Sequence, residues 1–476
     1  MCCGMTIADP SSFAIERRAG TTTNKLIDQI MALRLDEMDA DTLAIARMFL
    51  ADTLVTGVAG VANHASNSVL KAAQGWDGGR EGDCAILGRP GLRLSPHSAA
   101  MLNGFQIHCL EWDGLHEPSV VIALCAPMAA ILSEAQTSDA GFEEVLFAFC
   151  VGVEIAVLFG AAAAKGPRFF RPSTAGLMGA AAALGVLRKF DRDAMTRVLG
   201  LAYSQVSGTM QAHWEGSEAL PMQIGIAARA ALTAADLAVQ GLTAPHDFLD
   251  GKFGYFSLIE ASGDPTEHIA KIAQPWKIIE IAHKPFPAGR ATQATLTALM
   301  DMQLSDPFTM EDVTQLTVHV PPLIMLLVGR PYGPDMEAAY ARLCLPCIAP
   351  MMIRHGRIDP RRFTSEHFGA PQALFDASKI HVELDGNTNP NALSPQRIEI
   401  EFSDGRAMER IVDAPFGSPS RPMTRRDQIT KAQFCLEVAS FEGDPRRIFD
   451  AIESADATTR FAEIVRLVTE QEGPVE

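Results

Sequence analysis

The run His108-Cys109-Leu110-Glu111-Trp112-Asp113-Gly114-Leu115-His116-Glu117-Pro118-Ser119 places two imidazoles and three carboxylates within ten residues, between long alanine-rich apolar segments. Ionisable groups are costly in a protein interior unless they are paired or functional, so this knot is the first candidate for chemistry. Glu111 and Asp113 form a candidate acid/base pair. Neighbouring carboxylates raise one another's proton affinity, which suits general catalysis near neutral pH. His108 lies three residues before Glu111 on one helix face and is expected to orient that carboxylate and contact substrate. His116, in the loop that follows, is the candidate mobile proton carrier. The blander alternative is a carboxylate that caps a helix or pairs with a buried arginine. A metal held by His108, Glu111, Asp113 and His116 is conceivable by residue type, but the spacing fits no familiar ligand motif and no metal is expected.

The elements that must position these groups come from a chain of 476 residues, 47% hydrophobic and 20% charged. That length implies about two or three domains and a large core. A net charge of -17 argues against a nucleic-acid partner, which would need clustered Lys and Arg. The nine cysteines are scattered, mostly among apolar residues, as expected of a reducing, cytoplasmic setting. Cys344 and Cys347 make a lone CxxC with no second pair, a weak metal or redox signal. The opening MCCGMTIADPSS lacks the apolar core of a secretory signal, and Cys2 and Cys3 read as cysteines of a flexible tail. Val145 to Ala164 is the longest apolar run, but Glu154 at its centre favours a buried helix over a membrane span, so no membrane partner is expected.

Apolar spacing predicts helices over 42–58, from Ser95 to Cys109, from Pro118 to Ala135, and over 141–164, 174–188, 192–211 and 221–241. Arg229 in the last of these is expected to pair with Asp236 or Glu154. The pattern changes near Pro275. Trp276–Ile281, Gln315–Val320, Lys379–Leu384 and Arg397–Phe402 read as strands, and Asp404-Gly405 as a hairpin turn into Ala407–Val412. Helices are expected between them at 290–303 and 336–355, and after them at 427–438 and 459–470. The expected fold is therefore mainly α: a large helical domain (1–280) with an inserted smaller α+β lid domain (281–415), completed by C-terminal helices (416–476). Such a junction is a favoured place for a cleft.

Several motifs carry a resemblance. They are Asn103-Gly104 with His108-x-x-Glu111-x-Asp113, Arg171-Pro172-Ser173-Thr174-Ala175-Gly176, and Gly225-x-Ala227-Ala228-Arg229. Gly241-Leu242-Thr243-Ala244-Pro245 and Lys284-Pro285-Phe286-Pro287 complete the set. In order and spacing, over nearly the whole length, the chain resembles a divergent member of the MmgE/PrpD family. That family includes 2-methylcitrate dehydratase, cis-aconitate decarboxylase and iminodisuccinate epimerase. The resemblance implies a helical domain with an α+β lid, a homodimer, no cofactor, and lyase or isomerase chemistry on a small organic acid by proton transfer beside a carboxylate. It also implies a catalytic Lys284 from the lid, beside Glu111, Asp113 and His116.

The departures concern the substrate. By this alignment the family's Asp-Phe-Asp-Asp is Glu111-Trp112-Asp113-Gly114, and a histidine expected shortly after it is Ile122. Arg171 replaces the reactive imidazole of a His-Pro-Thr motif, where it can grip a carboxylate or form a structural ion pair. A Lys-x-Met-His element becomes Leu220-Pro221-Met222-Gln223, leaving Gln223 as a candidate contact. A histidine after the lid lysine becomes Gly289, with Arg290 beside it as a further candidate contact. A lid tyrosine becomes Cys347, a candidate contact that plain packing also explains. His213, with Glu215 and Glu218, falls in a polar loop after the 192–211 helix that reads as surface, with reach into the cleft as the alternative. Loss of cationic positions implies a less anionic, specialised acid as the small-molecule partner. The alternatives are a catalytically inactive dimeric binding or scaffold protein and a metal-dependent hydratase.

Overall fold

The computed structural model describes residues 21–389 and 392–471, so Cys2 and Cys3 lie outside the described residues. The chain is mainly helical, as its spacing predicts. The body is built on Ala40–Ala59, Pro96–His108, Cys125–Ser138, Phe142–Ala161, Arg171–Leu187 and Ala219–Val239. Asp39 accepts from Thr42 N at 2.7 Å and Asp191 from Ala194 N at 2.8 Å, which caps two of the body helices. Small residues let the helices cross closely. A Cβ on Gly179 would stand 2.3 Å from Gly152 O, and one on Gly225 2.3 Å from Met101 O. Among the described residues three helices are long and apolar enough to cross a membrane, yet 72%, 83% and 61% of their apolar windows are buried inside the fold.

A four-stranded sheet follows, in the order Ile380–Leu384, Val313–Val320, Gln396–Phe402, Ala407–Val412. The first pair is parallel and the others antiparallel. Its buried face, with Leu316, Val318, Ile398 and Ile400, belongs to the same core as the Gln293–Ser305 and Leu345–His355 helices. Gly405, at φ +88°, makes the expected turn. The two ends of this sheet-bearing segment meet on the body: Leu115 and Ala282 exchange backbone hydrogen bonds at 2.8 and 3.0 Å, and His283 N donates to Gly417 O at 2.8 Å. The C-terminal helices then return to the Ala40–Ala59 helix, where the buried Lys431 Nζ lies 2.8 Å from Asp52 Oδ1.

Several expectations are corrected. Trp276–Ile281 is not a strand; Lys277–Glu280 is a short 3-10 helix. Glu154 from the body accepts Ala273 N at 2.9 Å and Lys277 N at 2.7 Å, holding that turn. The carboxyl is buried, and burial lifts its pKa to about 7. No helix begins at Pro118. Val120 adopts φ +54° and His116 pairs with Val121, so the helix starts at Cys125. The 192–211 helix stops at Tyr203, and the 336–355 stretch is broken into Ala338–Ala341 and Leu345–His355. Arg229 pairs with neither Asp236 nor Glu154; its guanidinium lies 4.6 Å from the centre of the half-exposed Trp76 ring.

Candidate active site

The Pro96–His108 helix ends at His108, and Glu111 turns the chain with a left-handed φ of +55°. Glu111 N donates to His108 O at 2.8 Å. A left-handed, non-glycine residue costs about 1 kcal/mol or more and needs surroundings that enforce it. Here the reversal folds Glu111 and Asp113 back onto His108. The segment is braced from behind, because Lys431 Nζ donates to Trp112 O at 2.9 Å and Trp112 Nε1 donates to Pro285 O at 3.1 Å.

The result is a compact charged cluster. Lys284 Nζ donates to Glu111 Oε2 at 2.9 Å and stands 3.6 Å from Asp113 Oδ1. His108 Nδ1 lies 3.1 and 3.2 Å from the Asp113 oxygens, and His108 Nε2 is 3.3 Å from Glu111 Oε1. Cys125 Sγ donates to Asp113 Oδ2 at 2.6 Å. Burial opposes ionisation of Asp113, but His108 and Lys284 outweigh it and hold that carboxyl well below its ordinary range. Glu111 follows the same balance: burial raises it, and Lys284 with His108 brings it below normal. Asp113 does raise Glu111, as the sequence suggested, but the cations prevail. Both carboxylates are therefore ionised in the free protein, open to a proton but weaker bases than ordinary carboxylates for as long as Lys284 and His108 hold them. Burial works against the charges of His108 and Lys284 too, yet the carboxylates leave both pKa values raised. Cys125, pushed well above normal by burial and Asp113, remains a thiol.

An apolar cavity of about 80 Å³ adjoins the cluster. One side comes from the body, through Glu111, Ile122, Phe170, Arg171 and His213, and the other from the sheet-bearing segment, through Lys284, Arg290, Leu327, Leu343 and Leu393. Glu111 and Lys284 thus belong to both cluster and cavity. His108 and Asp113 stand behind them.

Other candidates fare differently. His116 is turned away from the cluster, with Nδ1 at 2.8 Å from Ser119 Oγ and Nε2 at 2.9 Å from Glu280 Oε2. The hydrogen bond from His116 is the largest influence on Glu280, whose pKa falls to about 2. Arg171 reaches the cavity wall, but its guanidinium is engaged by the buried Glu260 at 3.0–3.2 Å and by Ser119 O at 3.3 Å. This is the structural ion pair. Arg290 Nε donates to Glu117 Oε1 at 2.7 Å and Nη1 to His283 O at 3.2 Å, while its buried Nη2 has no hydrogen-bond partner among the described residues. Gln223 does not line the cavity; Thr209 N donates to its Oε1 at 2.5 Å. Cys347 is buried in the Leu345–His355 helix, and burial, then Cys344, raises its thiol well above normal. It packs and does not line the cavity.

Three groups were missed or underrated. Cys125 is one of the cysteines scattered among apolar residues, and with a helix expected from Pro118 its place at a helix start, twelve residues after Asp113, is not legible in the sequence. His213, read as a surface loop, is buried and lines the cavity. Arg330, which holds His213 at 3.0 Å from across 117 residues, left no local signal.

His108, Asp113 and Cys125 also bring one ligand atom each to within 4.8 Å of one another. As a metal site the set fits poorly. The thiol keeps its proton, and the Lys284 ammonium, 3.6 Å from Asp113, already supplies the positive charge.

Comparison with known proteins agrees with this architecture. The MmgE/PrpD N-terminal domain matches residues 24–268 and the MmgE/PrpD C-terminal domain residues 286–456. The cis-aconitate decarboxylase of Mus musculus is 25% identical, over 86% of this chain and 85% of its own. The cis-aconitate decarboxylase-like protein oryM of Aspergillus oryzae is 24% identical, over 94% of this chain and 98% of its own. The human cis-aconitate decarboxylase is 24% identical over 85% of each. Matched in both its domains across most of its length, the chain belongs to the MmgE/PrpD family.

Proposed function

We propose that the protein is a lyase or isomerase of a small organic acid that acts by proton transfer at a carbon beside a carboxylate or carbonyl. Glu111 takes the proton, and Lys284 holds the anionic end of the substrate. The observation that carries this reading is that Glu111 and Lys284 alone join the charged cluster to the cavity. As the proton leaves, charge moves onto the substrate oxygens. A fixed ammonium in a water-poor pocket is well suited to stabilise it. Asp113, held by His108 and Cys125, keeps Lys284 charged while Glu111 is neutralised. The enediolate left by proton loss serves dehydration, when hydroxide then departs, or epimerisation, when a proton returns to the other face; in decarboxylation CO2 departs in place of the proton and the carbanion left, its charge held by Lys284, takes a proton from water. The cis-aconitate decarboxylase relatives favour a lyase. The scheme needs no cofactor.

The walls favour an acid with fewer carboxylates than cis-aconitate. Ile122, Phe170, Leu327, Leu343 and Leu393 face the cavity, and Arg171 is already taken by Glu260. A homodimer, on the strength of the family resemblance, and a reducing cytoplasmic setting, on the strength of the scattered cysteines, complete the proposal. The test is solvent deuterium exchange, followed by NMR, with cis-aconitate, 2-methylcitrate and apolar mono- and dicarboxylic acids. Exchange is expected with the less anionic acids, reduced roughly 10²–10⁴-fold by Glu111→Gln. Absence of exchange with every acid, or exchange unaffected by the substitution, defeats the proposal. Comparable turnover of the tricarboxylates defeats the altered-pocket part of it.

A further inference from the structure

His213 sits in the short Gln211–Glu215 helix, 9% exposed, on the wall of the cavity that Glu111 and Lys284 also line. Two contacts from the sheet-bearing segment fix it there. Gly216, at φ +68°, ends the helix, and its missing Cβ would stand 2.5 Å from Tyr340 Cα, so the two backbones touch. Arg330 clamps the residue by donating to the His213 carbonyl and approaching Nδ1 at 3.0 Å with the same nitrogen. Arg330 is itself held, with Nε on Leu327 O at 3.2 Å and its guanidinium 4.9 Å from the Tyr340 ring centre.

The identity of that partner decides the tautomer. A guanidinium has donors and no acceptor, so Nδ1 must present its lone pair. The ring proton of the neutral imidazole is then on Nε2. Arg330 occupies the Nδ1 side of the ring, and among the described residues no protein group takes up Nε2. Burial, then the Arg330 charge, lowers the imidazole pKa to about 4; Glu111 pulls it upward and His108 downward. Lys284, Arg171 and Arg290 share the cavity walls, each paired with a carboxylate of its own. The ring is therefore a fixed, uncharged donor at neutral pH.

We propose that His213 is a substrate-binding residue, donating Nε2–H to a carbonyl or carboxylate oxygen of the acid in the cavity. This rests on the functional reading above for the class of ligand. The imidazole adds a hydrogen bond to an oxygen that gains charge as the proton leaves, without adding net charge to the pocket. Arg330 is the positioning residue behind it.

The test is long-range ¹H–¹⁵N correlation NMR of the full chain labelled at histidine, with the His213 signals assigned by their loss in His213→Gln. Expected are an unprotonated Nδ1, a protonated Nε2, and no titration from about pH 8 down to about pH 5.5, where an ordinary histidine changes state. Crotonate and cis-aconitate serve as probes carrying one and three carboxylates. At least one should shift the Nε2 resonance, and His213→Leu should weaken its binding about tenfold, with partial recovery in His213→Gln. Arg330→Leu should move the titration upward but leave it below the ordinary value of about 6.5, because burial of the ring remains. An Nδ1–H tautomer, ordinary titration in the unaltered protein, or a His213 signal unmoved by both probes overturns the assignment. A probe-dependent shift without deuterium exchange into any acid would instead sink the proposed reaction and leave this donor standing.

Discussion

Replacing Lys284 with methionine removes the ammonium while keeping most of the stem. The wild-type ammonium lies 2.9 Å from Glu111 and 3.6 Å from Asp113. At an effective dielectric of about 20 these separations correspond to gross attractions of roughly 6 and 5 kcal/mol. Desolvation of the buried charges offsets much of that, and breaking a buried pair costs about 3–5 kcal/mol net. The pH dependence follows from the directions of the shifts. In the intact protein Glu111 and Asp113 have lowered pKa values, so their contribution is full above the unfolded values of about 4 and declines as pH falls through the folded ones. Without Lys284, burial and Asp113 push Glu111 upward against His108 alone, and its folded pKa rises above the unfolded one. The variant then loses stability as pH climbs from about 4.3 toward that raised value. The deficit relative to wild type should be larger near pH 8 than near pH 5. Urea unfolding followed by tryptophan fluorescence measures it, aided by the buried Trp112 beside the cluster. A deficit below about 1 kcal/mol, or one equal at the two pH values, would refute the electrostatic account.

Two further outcomes are expected. Arg171→Leu strands the buried Glu260 carboxylate and should cost about 3–5 kcal/mol, while Arg171→Leu with Glu260→Leu should recover most of it and leave substrate KM within a few-fold. Thermal melts and steady-state kinetics check both halves, and a large KM rise in the folded double variant would return Arg171 to the substrate site. Cys125→Ala removes the thiol that donates to Asp113 and should cost about 1.5–3 kcal/mol, moving the acidic limb of the pH–rate profile upward. Cys125→Ser should keep most of the wild-type profile, and an unchanged profile in the alanine variant would show that the thiol does not position Asp113.

What the sequence disclosed were long periodic elements and the charged segment itself. The Phe142–Ala161 and Ala219–Val239 helices follow from apolar periodicity, and Ala407–Val412 follows from the Asp404-Gly405 turn. Glu111 and Asp113 stood out because carboxylates are rare between apolar helices, and Lys284 because its motif marks it. Elements decided by distant partners were illegible. Trp276–Ile281 is apolar enough to read as a strand, but Glu154, more than a hundred residues away, accepts the Lys277 N–H within it and the Ala273 N–H just before it, and the segment winds into a turn. His213 reads as polar loop because Arg330 and Tyr340, which bury it, come from the later segment. His116 and Arg171 each meet a local partner that the sequence does not single out: Ser119 and Glu280 hold His116, and Glu260 takes Arg171 into the ion pair that stood as one of its two readings.

The meeting of Leu115, Ala282, His283 and Gly417 has a mechanical consequence. Lys284 is rooted two residues from the Leu115–Ala282 bridge, where the sheet-bearing segment both leaves and rejoins the body. Any swing of that segment would pivot close to the ammonium, so the Glu111–Lys284 separation would change least while Arg290, Leu327 and Leu343 travelled farther. Reactivity and fit are thereby geared separately. Substitutions along the travelling wall can retune which acid is accepted without disturbing the proton-moving pair at the fulcrum.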